Sequence, residues 1–565
     1  MSDSMTRRVM MRLWITAAVL LLAVVAVVAR AVNLQVMETE FLQSRGEAHY
    51  LRAVEIPTVR GTVFDRTGEP LAVSTPVESV WAHPGELLQA ADHIPMLAGL
   101  LESDAADLER KLMQRAGREF VWLRRRINPD LADKIRALDV PGVFLQREYM
   151  RFYPAGEVMA QVLGFTNIDD IGQEGLELAY NESLRGRPGR KRVIKDRLGR
   201  IVQNVEMISE ARPGQDLHLT IDRRLQYLAF RDLKTRVIEY GAESGTVVVL
   251  GAKTGEILAM ASYPSYNPNS VTRAASDGLR NRAVTDVLEP GSVMKPFAVA
   301  AAMEAGIAQR DMVIDTSPGV ISVSGHRIRD TRDFGELTVE GLLTKSSNVG
   351  VVQLALAMDA RHLWSVYSRF GFGMVAGTGF PGESAGVLRD HERWRKLEQA
   401  TLAYGYGLSV TPLQLARAMA AIADGGRLRE PTFIANAGNS PHSVLDPDLA
   451  RQLAGMLETV TGPEGTGSRA RVEGYRVAGK TGTSRKAAAG SYGDRYIGSF
   501  VGFAPVSDPE LVVAVIINDP DGDTFYGGQV AAPLFSQVMA AGLRLFDVPP
   551  DDPELLMAQL GGGHD

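Results

Sequence analysis

The chain has 565 residues, 45% of them hydrophobic and 23% charged, with a formal net charge of −6. That length accommodates more than one domain around a large buried core, and the near-balanced charge gives no overall bias toward nucleic acid or anionic membranes. The absence of cysteine excludes disulfides, thiolate metal sites and a cysteine nucleophile.

Arg7, Arg8 and Arg12 precede an uncharged run of 17 residues at 13–29. The run rises roughly 25 Å as a helix, the short end of a bilayer span. Ala31, Val32, Leu34 and Val36 extend its apolar face past Arg30. Positive charge on the leading tail keeps that tail in the cytoplasm. We therefore expect a cytoplasmic tail at 1–12, a transmembrane anchor at 13–36 and the remainder outside. Ala29-Arg30-Ala31 has the form of a cleavage site, which makes a cleaved leader the alternative; against it, the run exceeds the roughly 7–15 residues of a signal core.

Residues 37–215 are mixed and rich in charge, and we expect them to form an elongated pedestal. Asp65 to Gly68 predicts a turn between two short strands. Leu97, Leu101, Leu108, Leu112 and Leu131 predict helix over 97–138. Eight basic residues lie between Arg185 and Arg200. With Gly186, Pro188, Gly189 and Gly199 among them they predict a solvated hairpin rather than a nucleic-acid patch, since an outer-face location removes that partner.

Arg212-Pro213-Gly214 reads as a boundary, followed by a strand at 217–221. Apolar runs on either side of Lys253-Thr254-Gly255-Glu256 predict a hairpin over 245–263. A second is predicted over 496–518, closed by Pro505 to Pro509. Helices are expected at 297–305, 349–358 and 413–424. Strands at both ends with helices between them predict a sheet whose terminal segments pair, with helices on its faces. The tail from 546 to 565 is expected to be flexible.

Glu289-Pro290-Gly291-Ser292-Val293-Met294-Lys295-Pro296 leads into an alanine-rich helix. Ser292 would sit at its positive end, with Lys295 one turn on along the same face. A serine hydroxyl needs an adjacent base, and a lysine serves only if burial or neighbouring cations depress its pKa. No other serine here has a lysine at i+3. Ser346-Ser347-Asn348 breaks two apolar helical stretches. It would place the Ser346 hydroxyl near Ser292 and Lys295 to relay a proton, and the Asn348 amide toward substrate. Lys480-Thr481-Gly482-Thr483 follows the strand-like 475–478 and would bind a substrate carboxylate. Gly482 would allow close substrate approach, and the Thr483 and Ser292 N–H groups would form an oxyanion hole.

S-x-x-K, S-x-N and K-T-G in this order form the signature of the penicillin-recognising serine enzymes. The chain resembles the class B penicillin-binding proteins, specifically the septal peptidoglycan transpeptidases. The likeness extends to Arg60–Ser74, Arg185-Gly186, Asp196 to Arg200, Tyr404-Gly405-Tyr406-Gly407 and Tyr526-Gly527-Gly528. It implies an α+β transpeptidase fold over 216–545, with an antiparallel five-stranded sheet flanked by helices, above the pedestal. It also implies a D,D-transpeptidase acting on peptidoglycan stem peptides ending in D-Ala-D-Ala. Ser292, Lys295, Ser346 and Lys480 would be catalytic, and Asn348, Thr481, Gly482, Thr483, Tyr406 and Tyr526 would bind substrate. β-Lactams would acylate the serine. No metal or organic cofactor is implied. A membrane glycan polymerase of the FtsW type and other division proteins would be partners at the septum of the inner membrane. The alternatives are a D,D-carboxypeptidase or β-lactam-hydrolysing relative, and a non-catalytic β-lactam sensor or division scaffold.

Two further motifs compete. Gly474 to Thr481 fits the Walker A pattern letter for letter, but a P-loop needs a following helix; Tyr475, Arg476 and Val477 favour a strand, and the sequence that follows, with Gly482, Gly490 and Gly493, predicts no helix. Gly382-Glu383-Ser384-Ala385-Gly386 fits a hydrolase nucleophile elbow without the preceding strand that elbow requires.

Overall fold

A computed structural model of the chain describes residues 3–37, 51–195, 201–271, 276–488, 491–522 and 524–552. The Asp196 to Arg200 motif and residues 553–565 of the tail lie outside them.

Helix Asp3–Val32 runs unbroken through the apolar segment. Met5–Gln35 is long and apolar enough to cross a membrane, with a mean hydropathy of 2.6 and none of its most apolar stretch buried. The chain divides into two compact units that interleave along the sequence. One comprises Met1–Val59, Pro76–Tyr149 and Gly186–Pro213; the other comprises Arg60–Thr75, Met150–Arg185 and Gly214–Asp565. Their last crossing falls inside Arg212-Pro213-Gly214.

In the first unit, Leu51–Ile56, Gly189–Lys195 and Ile201–Ser209 form a three-stranded antiparallel sheet. The basic hairpin is thus solvated strand, with Arg192 paired to Glu206 at 2.6 Å. A separate core gathers Leu97, Leu108, Leu112, Ile127 and Ile135. The helix expected over 97–138 is three helices, Ile94–Leu100, Ala105–Met113 and Pro129–Ala137, interrupted by strand Val121–Ile127. Val121, Trp122 and Ile127 favour a pleated surface over a helix, and the leucine spacing conceals the change of period.

The second unit is built on a five-stranded sheet. Its strands are β1 (Ser244–Gly251), β2 (Ile257–Tyr263), β3 (Ala478–Ala488), β4 (Ser491–Ala504) and β5 (Leu511–Asn518), in the order β2-β1-β5-β4-β3. All four pairings are antiparallel, and β5 joins β1 across the sequence. Successive side chains of a strand point to opposite faces. Val247 and Val249 enter the core beneath helices Arg223–Glu239 and Ala532–Leu545. Val248 and Leu250 enter the larger core, which holds Phe297 and the helix Pro412–Ala423. Both faces are covered, so β1 is buried along its whole length and its sequence is an unbroken apolar run. The strand expected over 217–221 is only Leu217–His218, paired in parallel with Val63–Phe64.

Arg60, singled out by motif alone, lies in this unit and is fully buried. Its guanidinium meets Glu177 Oε2 at 2.6 Å and donates to the carbonyls of Glu177 and Asp170 and to Asn181 Oδ1. The other Glu177 oxygen receives Arg151 at 2.6 Å. Burying these charges requires such saturation, because an unpaired partner would bear the whole desolvation cost.

Candidate active site

Gly291–Met294 forms a 3-10 turn that leads into helix Lys295–Glu304. Ser292 therefore precedes the α-helix instead of opening it. In a 3-10 turn residues three apart eclipse one another, so Ser292 and Lys295 stack on one face. The helix is apolar all round and buried throughout all but its last residue, as expected of a core helix. Its first side chain, Lys295, is thereby driven into the interior.

Lys295 and Lys480 are both 0% exposed. Lys295 Nζ donates to Ser346 O at 2.5 Å and to Ser346 Oγ at 3.1 Å. Lys480 Nζ donates to the same Oγ at 3.0 Å and to Thr481 O at 3.2 Å. One hydroxyl thus receives two amines from segments far apart in sequence. Burial depresses the Lys295 pKa well below the ordinary lysine value, and the Lys480 cation depresses it further. Burial pulls Lys480 down to about 7. Ser346 holds this position with φ of +59°, a left-handed conformation that costs a non-glycine residue on the order of 1 kcal/mol or more.

Above the amines lies a cavity of about 590 Å³ that exposes Ser292, Ser346, Asn348, Thr481, Thr483, Tyr406 and Tyr526. Seven of the ten sequence-predicted site residues thus line it, and Ser346 also touches the buried amines; Lys295 and Lys480 lie beneath. Thr481 Oγ1 is 2.7 Å from Thr466 Oγ1, and Thr483 Oγ1 accepts from the Gly527 N–H at 3.0 Å. Tyr406 Oη accepts from the Arg485 N–H at 3.1 Å. Tyr526 is 51% exposed and packs on Phe525, which stacks on Tyr496 at 4.0 Å.

Gly482 is the residue that departs from expectation. It does not line the cavity. A Cβ there would lie 2.7 Å from Val293 Cγ2, 2.9 Å from Pro290 O and 2.3 Å from Ser499 Oγ. The missing side chain lets the nucleophile turn rest on β3 instead of admitting substrate backbone. Gly482→Ala is expected to weaken the fold by about 1–3 kcal/mol and to slow penicillin acylation on the order of 10- to 100-fold, measured by thermal unfolding and labelling rate. Gly405 makes a comparable approach. Its φ is +85° and a Cβ would fall 2.1 Å from Gly291 O, so the Tyr404 to Gly407 loop sits against the same turn.

Three residues escaped the sequence reading. Asp330 accepts from Ser347 Oγ at 2.6 Å, from Val349 N at 3.0 Å and from the Asn348 N–H. Glu289 Oε1 accepts from Gly407 N at 2.8 Å and from Tyr492 Oη at 3.2 Å. Ser347 is fully buried and caps helix Asn348–Ala357. Glu289 carried a signal in its place beside Pro290-Gly291, and Ser347 in its place between Ser346 and Asn348; Asp330 carried none. Asn348 Nδ2 donates to Arg329 O at 2.8 Å, which leaves its second N–H and its Oδ1 for a ligand.

Neither competing motif survives. The segment after Gly474 leads into β3, which carries Lys480 in its interior, so no helix N-terminus faces a phosphate. The strand begins at Ala478, later than the expected 475–478. Ser384 sits in a loop where its Oγ accepts from the Gly386 N–H at 3.2 Å, with no strand before it. Among the described residues no group of three acidic or histidine side chains could hold a metal ion.

Residues 245–540 match the penicillin binding protein transpeptidase domain, and residues 55–219 match the penicillin-binding protein dimerisation domain. The chain is 41% identical over 544 residues to a probable peptidoglycan D,D-transpeptidase PbpC of Pseudomonas aeruginosa, covering 96% of each. It is 40% identical over 539 residues to the peptidoglycan D,D-transpeptidase FtsI of Escherichia coli, covering 94% of this chain and 91% of the relative. Among solved structures, penicillin binding protein 3 of Mycobacterium tuberculosis complexed with aztreonam superposes with a TM-score of 0.68 at 27% identity, over 88% of this chain and 99% of the other.

Proposed function

The chain belongs to the penicillin-binding proteins and is a peptidoglycan D,D-transpeptidase, and from that premise we propose that Ser292 is its nucleophile and Lys295 its base. The observation that carries this reading is the Ser346 hydroxyl, which receives both buried amines at the floor of the cavity that exposes Ser292.

Ser292 Oγ attacks the penultimate D-Ala carbonyl of the donor stem peptide, and its proton passes to neutral Lys295 Nζ. The Ser292 and Thr483 N–H groups face the developing oxyanion. As the C–N bond breaks, the proton moves through Ser346 Oγ to the departing D-Ala amine. An amine of a second stem peptide then attacks the ester, loses a proton to the lysine, and restores the serine. Thr481 and Thr483 bind the terminal carboxylate over the Lys480 cation. Asn348, Tyr406 and Tyr526 hold the peptide. A β-lactam presents the same carbonyl but keeps its leaving amine tethered.

The base must be unprotonated, so acylation rises as pH passes upward through the apparent pKa of the amine pair. Depression of both lysines puts that rise well below the ordinary lysine range. Acylation of the detergent-solubilised full chain by a fluorescent penicillin is expected to gain about tenfold per pH unit on this limb and then level off. A rate independent of pH from about 5 to 9, or falling across that range, would sink the assignment of Lys295.

Helix Asp3–Val32 serves as the single anchor, with Arg7, Arg8 and Arg12 inside and the catalytic unit in the periplasm at the septum. Residues 37–215 act as the pedestal domain and 216–545 as the transpeptidase domain. A membrane glycan polymerase of the FtsW type supplies the strands that are cross-linked, together with other division proteins. Support for this placement comes from the charge asymmetry of the helix and from the division-type relative.

A further inference from the structure

Asp330 lies at the end of the hairpin Val320–Val323 and His326–Arg329. Its N–H donates to Gly319 O at 2.9 Å, so the backbone carrying it is fixed. Its carboxylate spans the start of helix Asn348–Ala357: Oδ2 takes the Ser347 hydroxyl at 2.6 Å, and Oδ1 takes the N–H groups of Val349, at 3.0 Å, and Asn348. Ser347 Oγ in turn accepts from Gly350 N at 3.0 Å. The Asn348 amide donates to Arg329 O, the residue before Asp330. One carboxylate therefore fixes the three residues that follow Ser346, which itself sits in a left-handed conformation.

We propose that Asp330 is a positioning residue of the acylation machinery: it clamps Ser346-Ser347-Asn348 and supplies the negative charge that balances the two buried amines. The inference rests on the acyl-enzyme reading above. The groups that face Lys295 are the Ser346 hydroxyl and carbonyl, Lys480 from β3 and Asp330 from the hairpin end. Lys345, beside Ser346, is neutralised by Glu464 at 2.7 Å, which Arg332 also faces. Of these, only Asp330 favours the charged form of Lys295. Without it, two ammonium groups would share an interior with no counter-charge. With the charge too strong, the base would stay protonated. The half-buried site, one residue removed from the amines, sets an intermediate field.

Asp330→Asn separates the two roles. The amide keeps an oxygen for the Asn348 and Val349 N–H groups and a nitrogen for Ser347 Oγ, yet removes the charge. In the full chain, the acid limb of the penicillin acylation profile is expected to move to lower pH by about one unit, because Lys295 gives up its proton more readily. Asp330→Ala removes the clamp as well, and its plateau rate is expected to fall about 10- to 100-fold. A purely structural role would scale the rate equally at every pH. Superimposable Asp330→Asn and parent profiles, or a limb moved upward, overturn the proposal, as does an Asp330→Ala plateau equal to the parent's. Should Asp330→Ala not fold, the Asp330→Asn profile decides alone. A parent chain that takes up no penicillin would remove the acyl-enzyme reading and this inference with it, whereas an unmoved limb removes only the inference.

Discussion

Replacing Ser292 with alanine is expected to abolish covalent capture of a fluorescent penicillin by the full chain while leaving its melting temperature within a degree or two of the parent's. The hydroxyl is half-buried at the cavity floor, and the 3-10 turn that carries it is held by Gly291 and Gly405 rather than by the side chain. Its loss therefore deletes the attacking atom with little effect on packing. No other serine shares its pairing with a lysine one turn on, so nothing replaces it. Removing the nucleophile of a serine acyl-transfer site lowers the rate on the order of 10⁴- to 10⁶-fold, which takes labelling below detection. Covalent label that persists on the Ser292→Ala chain at more than about 1% of the parent rate would refute the nucleophile.

Lys295→Met is expected to lower the acylation rate on the order of 10³-fold, near the upper part of what a positioned general base contributes. Methionine fills a similar volume in the alanine-rich core, so the fold should persist. The stability sign is defined as well. The folded chain holds this lysine with its pKa depressed, whereas the unfolded chain binds the proton at any pH below about 10. Folding therefore costs more as the pH falls from about 10 toward the folded value, and methionine carries no such cost. Against the substitution stand the two hydrogen bonds to Ser346. The melting temperature of Lys295→Met, measured against the parent across pH, should gain on the parent as the pH is lowered through this window. A parent-like acylation rate would show that Lys480 or water serves as the base.

The two lysines also explain why one hydroxyl stands between them. Two ammonium groups sharing a hydrogen-bond acceptor in a low-dielectric interior cannot both remain charged at moderate cost. Proton occupancy belongs to the pair, and Ser346 Oγ is the atom through which it can redistribute. This is the arrangement a reaction needs when one proton must leave the nucleophile and arrive on a leaving amine.

Much of this was written in the order of residues. The apolar run at the N-terminus, the apolar runs of β1, β2, β4 and β5, and the three-part serine–lysine signature all depend on composition at short range. Each is set by the period of a helix or strand, or by residue types that one chemistry demands. Spacing also disposed of the Walker A match, since Tyr475, Arg476 and Val477 favour extended chain over a phosphate loop. What the order of residues left undecided depends on approach between distant segments. Gly482 was legible as a close contact but not as a contact with Val293 and Pro290, because the partner is remote in sequence. Asp330 sits in a run of ordinary surface charges, and only the packing of a hairpin end against Ser347 makes its carboxylate a clamp. The strand Val121–Ile127 hid within a helical spacing for a similar reason: strand pairing is a tertiary choice. The sequence by itself determined which atoms could react. The tertiary structure decided how far their pKa values fall and what holds them, because desolvation and charge proximity are properties of the packed interior and not of the chain.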